Sequence, residues 1–447
     1  MTSETYKKIK DSTYCYLAFN GLSTHPLGKS RPCCESEVDK VHTFVKGTDT
    51  KKYQFLKNSK VANTIDEYIN DPELKKIRRQ LLEGKRPKNC DSCWMKEDSG
   101  LVSLRQIQNE INLDNIDTSL SGITSEGDLD VQNIKYLDIT LGNVCNLKCR
   151  TCSSWNSHHW IEEEKQQSDA NPHGFETAEF MQNYPWFVNA FANGFFDVVL
   201  PTVTHINFIG GEPLVVKEHY DWLQRIIDKG WAKNITLSYN TNTTLIPKKL
   251  LDIWDLFKEI RLSLSLDAVG DLAYYVRYPS KWKLIERNVE KLKEYTKTRQ
   301  QVVVHVHVTI SVLNIHAIDQ ILDWCTEQYK DWHFFNTENY NHYGYQNLIP
   351  HFNLVEDPYY MNIRHLPNIV KEKVNNTLDK AYSKLYNSTI VPNWERHRLE
   401  SIKNLKTIVN LNRDEKEWQN FIERTINSDR FRNIDIKDYI PWMKDYI

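Results

Sequence analysis

Proline and glycine are scarce in this chain, at 15 each in 447 residues, and methionine is scarcer at 5. That composition excludes a collagen-like repeat and a Pro/Gly-rich disordered chain. Net charge is almost absent: 57 Lys and Arg stand against 59 Asp and Glu, a formal charge of −2. A surface dedicated to tracking phosphates, and with it general nucleic-acid binding, is not expected. Long apolar runs are missing too. No stretch reaches the ~18 uninterrupted apolar residues of a membrane span; the nearest, Phe187 to Ile209, is broken by Asn189, Asn193, Asp197, Pro201 and His205. The opening MTSETYKKIK holds no apolar segment, so the expectation is a cytoplasmic protein without a secretory leader. What is present, 40% hydrophobic and 12% aromatic residues, suffices for a well-buried core in two to four domains.

The nine cysteines carry the most information, and eight of them fall in the first 152 residues. In a reducing compartment, clustered cysteines more often bind metal than form disulfides. Their grouping suggests two metal sites.

Early in the chain one helix is plain. Asp71-Pro72 opens it, Leu74, Ile77, Leu81 and Leu82 form its stripe, and Gly84 ends it. From Asn112 to Gln132 the composition turns to Asp, Ser, Asn, Gly and Thr, which reads as a linker or surface loop. Beyond it, strands alternate with helices. The strand candidates are Lys135–Leu141, Thr204–Ile209, Ile235–Tyr239, Ile260–Leu266, Val302–Ile310 and Trp332–Phe335. Helical stretches such as His219–Lys229, Lys248–Phe257, Trp282–Thr296 and Ile315–Gln328 lie between most of them. This alternation implies an α/β protein with a parallel sheet, open or closed into a barrel. From about Asn362 onward the pattern is helical and charged.

Several strands alternate strictly: Leu262, Leu264, Leu266 against Ser263, Ser265, Asp267; Val304, Val306, Val308 against His305, His307, Thr309; Ile206 and Phe208 against His205 and Asn207. Helices cover the outer face of such a sheet and demand apolar residues there, so the polar stripe should point inward. Ordinary closed barrels fill their interior with branched apolar side chains. A polar interior suggests a solvated cavity for a polar ligand, the alternative being an antiparallel sheet with one wet face.

The run LDITLGNVCNLKCRTC sets Cys145, Cys149 and Cys152 in a C-x3-C-x2-C spacing just after the first of these strands. Three thiolates can ligate three irons of a cubane and leave the fourth for an outside ligand, whereas a closed site takes four. Zinc is the competing reading, with His158 and His159 as the local candidates for a fourth ligand. The triad resembles the signature of the radical S-adenosylmethionine (SAM) enzymes. One βα unit later the chain reads FIGGEPL, and Gly210, Gly211, Glu212 and Pro213 are similar to the GGEP motif of that family. The resemblance implies a 4Fe-4S cluster on Cys145, Cys149 and Cys152, with SAM chelating the unique iron and cleaved to a 5′-deoxyadenosyl radical. It implies that Gly210–Pro213 hold the methionyl end of SAM, Glu212 accepting from its amino group. It further implies contacts to SAM from Asn242, in a segment where Asn242-Thr243-Thr244 replaces the usual Asn-Gly-Thr, and from Ser265 and Asp267, which otherwise read as loop caps; Arg277 reads as a cofactor-binding residue for a carboxylate or as one half of a structural salt bridge. A flavodoxin- or ferredoxin-type reductant would be the partner.

Cys15, Gly28 and Cys33 form a C-x12-G-x4-C arrangement, and Cys90 and Cys93 a C-x2-C pair. Together these resemble the SPASM/twitch auxiliary-cluster motif of radical SAM enzymes, placed before the barrel instead of after it. The resemblance implies a second 4Fe-4S cluster on Cys15, Cys33, Cys90 and Cys93, with Cys34 as a substitute for Cys33; a four-cysteine zinc site is the competitor. Cys325, on an amphipathic helical stretch, reads as a buried small hydrophobe, with a hydrogen-atom donor as the functional alternative. His305 and His307 read as polar groups lining the interior. The expectation is thus a twitch-like domain over 1–125, a partial (β/α)6 TIM-like barrel over 126–350 and a mainly helical extension over 351–447. By family association the substrate is a peptide or protein, with a small metabolite as runner-up.

Overall fold

The computed structural model describes residues 12–37, 43, 60–98, 102–167, 174–330, 332, 349–388, 391, 396 and 398–447. Among these residues eight strands are present: β1 (Gly21–Thr24), β2 (Ser30–Arg31), β3 (Tyr136–Thr140), β4 (His205–Ile209), β5 (Thr236–Thr241), β6 (Glu259–Ser265), β7 (Val302–Ile310) and β8 (His351–Leu354). Their sheet order is β2-β1-β3-β4-β5-β6-β7-β8. The recorded pairings β1–β3, β3–β4, β4–β5 and β7–β8 are parallel, and β1–β2 is antiparallel. The protein is therefore α/β with a mostly parallel sheet, as the alternation implies. β3 to β7 fall on five of the expected strands. Of the sixth, Trp332 is buried outside any strand and residues 333–335 lie outside the described set; the strand that pairs with β7 is β8. Among the described residues no helix is long and apolar enough to cross a membrane.

The chain divides into two compact units. The first comprises Met1–Val144, Glu179–Tyr239 and Asp252–Ile260. In it, the helix α1 (Pro72–Leu82) begins where Asp71 accepts the Glu73 N–H at 2.8 Å, with Pro72 in the first turn, where no N–H is needed. Leu74, Ile77 and Leu81 are buried as the stripe requires, but Leu82 is exposed. Arg78 is buried instead, its guanidinium donating to the Gly127 carbonyl (2.7 Å) and the Ile69 carbonyl (2.9 Å).

The linker reading of 112–132 is corrected by the same contacts. This stretch contains a single turn at Leu113–Asn115, a helix at Ile116–Ser121 and an antiparallel bridge between Ile123 and Leu129. Asn70 grips Leu129 at both its N–H (2.8 Å) and its carbonyl (3.0 Å). Side-chain amides satisfy the backbone here, so the composition looks like a loop although the segment is fixed.

The polar stripe expected from alternation is present, and the register aligns it across four strands. Ser23 lies opposite Asp138, Asp138 opposite Asn207, and Asn207 opposite Ser238. Asp138 is buried and accepts from Ser23 Oγ and Asn207 Nδ2, both at 2.9 Å. Burial holds its carboxyl above the usual range in spite of the Arg31 charge. Ile206, Phe208 and Leu137 on the opposite face are fully buried.

The second unit comprises Cys145–Ala178, Asn240–Leu251 and Arg261–Ile447. Leu262, Leu264 and Leu266 of and just beyond β6 are buried, against half-buried Ser265. Helices Trp282–Thr296 and Ile318–Lys330 flank β7, and the C-terminal part is helical at Asn368–Tyr386, Glu400–Val409 and Glu415–Arg432.

Candidate active site

Cys145 and Cys149 are buried and pack with Leu147, and half-buried Cys152 packs against them. The loop that carries them is held by its backbone. The Cys152 N–H donates to the Cys149 carbonyl at 3.0 Å, and the Trp160 indole N–H donates to the same oxygen at 3.1 Å. The Leu147 N–H points at Cys145 Sγ from 3.4 Å. The Cys149 thiol is drawn down toward thiolate by a hydrogen bond from Cys152, aided by the Arg277 guanidinium, whereas that hydrogen bond and burial push Cys152 up. Thiolate is the ligating form. His158, one of the two candidate zinc ligands, spends Nδ1 on the Cys145 N–H (3.3 Å) and stacks on His159 with ring centroids 4.2 Å apart.

Asn242 joins this loop. Its amide donates to Asn146 Oδ1 at 2.8 Å and approaches Cys145 Sγ to 4.0 Å, while Asn146 donates to Thr244 Oγ1 at 2.7 Å. Thr243, standing where the resembling motif has glycine, adopts φ +63°, the left-handed turn glycine takes without cost. Asp267 is buried, accepting Arg277 Nη1 at 2.6 Å and the Thr309 N–H at 2.8 Å. Burial opposes the Arg277 charge, but Asp267, Cys149 and Cys152 outweigh it and hold the guanidinium firmly protonated. Its Nε is buried without a partner. An unspent donor beside the thiols fits a ligand that brings a carboxylate. Ser265 is half-buried at the end of β6.

In the first unit, Gly210 and Gly211 have φ +88° and +55°. A Cβ on Gly210 would lie 2.7 Å from the Gly142 carbonyl oxygen, and one on Gly211 only 2.1 Å from that of Val144. The Glu212 N–H donates to the same Val144 oxygen at 2.9 Å. The glycines are thus required by the approach of this turn to the chain entering Cys145, a reason the sequence alone did not show. Glu212 is buried, and its Oε1 accepts the Leu214 N–H at 3.1 Å, capping the turn that Pro213 starts.

Cys15, Cys33, Cys90 and Cys93 line one pocket with Trp94 and Arg105. Gly28, the spacing glycine, turns at φ +71°, and a Cβ there would lie 2.8 Å from the Trp186 indole. Burial pushes Cys15 up to about 11 and raises Cys33 and Cys90 as well, so these thiols await a cation before they ionise. Cys34 is not among the residues lining the pocket; its thiol donates to Asp138. Among the described residues no three His, Cys, Asp or Glu side chains already converge tightly enough to hold a single metal ion.

Cys325 is fully buried. The His305, His307 and His351 rings pack tilted or edge-on against one another, centroids 4.8 to 5.4 Å apart, and Arg398 Nη2 reaches His351 at 2.8 Å. Burial and neighbouring positive charge keep His305 well below its ordinary value and lower His307 to about 4, so both are neutral. The contributions of Asp138 and His351 were not read from the sequence; the register of β1, β3 and β8 reveals them.

Residues 139–325 match the family model of the radical SAM superfamily. Over these residues, less than half of the chain, the protein is similar to the radical SAM enzymes. Distant likenesses among solved structures include native anSMEcpe with bound AdoMet, at 18% identity and TM-score 0.34, covering 56% of this chain and 61% of that one. Streptococcus suis SuiB with S-adenosylmethionine gives 16%, 0.28, and 54% and 49%. SuiB with its precursor peptide SuiA gives 15%, 0.32, and 68% and 62%. This chain thus covers about half to three-fifths of those structures. No curated protein matches it by sequence.

Proposed function

We propose that this chain is a radical SAM enzyme that generates a 5′-deoxyadenosyl radical at Cys145, Cys149 and Cys152 and uses it to remove hydrogen from a substrate, by family association a peptide or protein. The observation that carries this reading is the packing of the three thiols in one buried group with Arg277 beside them. When bound, the cluster supplies the single electron that breaks the SAM sulfonium bond. The chain's own residues do the rest. Arg277 offers Nε to the carboxylate of the amino acid end, Asp267 fixes the guanidinium, and Asn242 braces Cys145. Gly210, Gly211, Glu212 and Pro213 hold SAM on the evidence of the motif, with Ser265 toward the ribose.

Cys15, Cys33, Cys90 and Cys93 would hold a second 4Fe-4S cluster in a twitch-like domain over 1–125, relaying an electron from the substrate radical. The 126–350 segment is the barrel and 351–447 its extension. The reductant is a flavodoxin or ferredoxin in the cytoplasm. A small-metabolite substrate is the alternative, and a zinc-binding protein or an electron carrier that leaves SAM intact is the competitor from another class. Anaerobically reconstituted protein should hold about eight irons and eight sulfides per chain. Cys90→Ala should lose about half of that iron and still form 5′-deoxyadenosine without coupled product. Two zincs and no iron would reject the reading.

A further inference from the structure

Two cations, Lys148 and Arg150, flank Cys149 in the triad loop, and each is answered by a buried carboxylate. Lys148 Nζ lies 2.9 Å from Glu163 Oε2, and Arg150 pairs with Asp429. Asp429 also accepts the Tyr275 hydroxyl at 3.0 Å and the Ile436 N–H at 2.7 Å. Glu163 is fully buried and accepts Arg432 Nε at 2.9 Å and the Ser428 hydroxyl. Arg432 in turn donates Nη1 to the Lys148 carbonyl at 3.1 Å, and its guanidinium lies 4.5 Å from the centre of Trp160, the indole bonded to the Cys149 carbonyl. Thr425, Ser428, Asp429 and Arg432 form one buried face of the helix Glu415–Arg432. From the other side, the Lys148 and Arg150 N–H groups donate to the carbonyls of Tyr278 (2.7 Å) and Val276 (2.8 Å).

We infer that the C-terminal helix is a working part of the metal-binding loop: Asp429 and Arg432 are positioning residues that preform the Lys148–Arg150 segment and set the charge around the centre held by Cys149. The inference rests on the proposed role of the triad. Buried Arg150 and half-buried Lys148, left without their carboxylates, would force the loop open, because an unpaired charge out of water is far costlier than the pair. The same carboxylates decide how readily the centre accepts an electron, since charge just beyond the ligands tunes a metal site.

Two readouts test it on the full chain. In metal-free protein, alkylation of Cys149 by iodoacetamide, followed by peptide mass spectrometry, should accelerate roughly tenfold or more in Asp429→Asn, by local opening. It should not change in Lys406→Ala, which removes only an exposed pair with Asp379. In reconstituted protein, EPR-monitored titration should give a midpoint potential above wild type for Asp429→Asn and below it for Arg432→Gln. Opposite shifts are not the product of simple loosening. Where Arg432→Gln does not fold, Arg432→Lys keeps the charge and should loosen Cys149 at unchanged potential. Unaltered alkylation together with unaltered potentials in folded variants would overturn the inference. Faster alkylation in a protein that binds no iron would uphold the clamp while rejecting the triad's metal role.

Discussion

Cys149→Ala is expected to reduce 5′-deoxyadenosine formation to the background of SAM and dithionite alone. Cys149 is the buried middle thiol of the triad and the one drawn toward thiolate. Alanine leaves two sulfurs for a cluster that needs three, and His158 already accepts the Cys145 N–H at Nδ1. Removal of a ligand acts on the electron source itself, so no partial activity should survive. Cys34→Ala provides the contrast. Its thiol bonds Asp138 outside the four-cysteine pocket, so the variant should keep both iron centres, whereas Cys33→Ala should lose one. Iron quantitation and product chromatography on the three variants check the assignment.

The second large effect is one of backbone. Gly211→Ala would place a methyl carbon 2.1 Å from the Val144 carbonyl oxygen at φ +55°. Left-handed strain for alanine costs about 1–2 kcal/mol, and displacing a packed backbone adds ~1–3 kcal/mol. Gly230→Ala isolates the first of these costs, because φ is +76° there and nothing lies within 4 Å of its Cβ. Thermal unfolding should therefore show a small fall in Tm for Gly230→Ala and one two- to threefold larger for Gly211→Ala. Val144 immediately precedes Cys145, so iron loading at the triad should fall in Gly211→Ala alone. Equal Tm shifts for both would mean that the GGE turn is not clamped as described.

Much of this was legible in the chain. β4, β6 and β7 declare themselves because their polar and apolar residues alternate and the apolar ones, such as Leu262 and Phe208, are fully buried. The cysteine groups declare themselves through spacing, which sets which thiols share a loop or a pocket. Short elements did not: β1 and β2 span four and two residues, and β8, His-Phe-Asn-Leu, alternates over only four residues, too few to stand out as a strand. Nor did long-range electrostatics. Arg150 meets Asp429 279 residues away, and Glu163 meets Arg432 269 away, pairings that no local pattern encodes. The cue that was available is chemical: two cations beside a buried cysteine must have counter-charges somewhere. At Asn242-Thr243-Thr244 the sequence hides a backbone feature, since Thr243 stands in the left-handed region that glycine usually takes.

The account turns on a metal centre that three sulfurs leave incomplete, so that SAM completes it. The most direct test is low-temperature EPR of the dithionite-reduced, reconstituted Cys90→Ala variant, recorded with and without SAM, so that only the triad's centre contributes. The account predicts a signal whose g-values move on addition of SAM. A reduced iron–sulfur signal identical in the two spectra would contradict it.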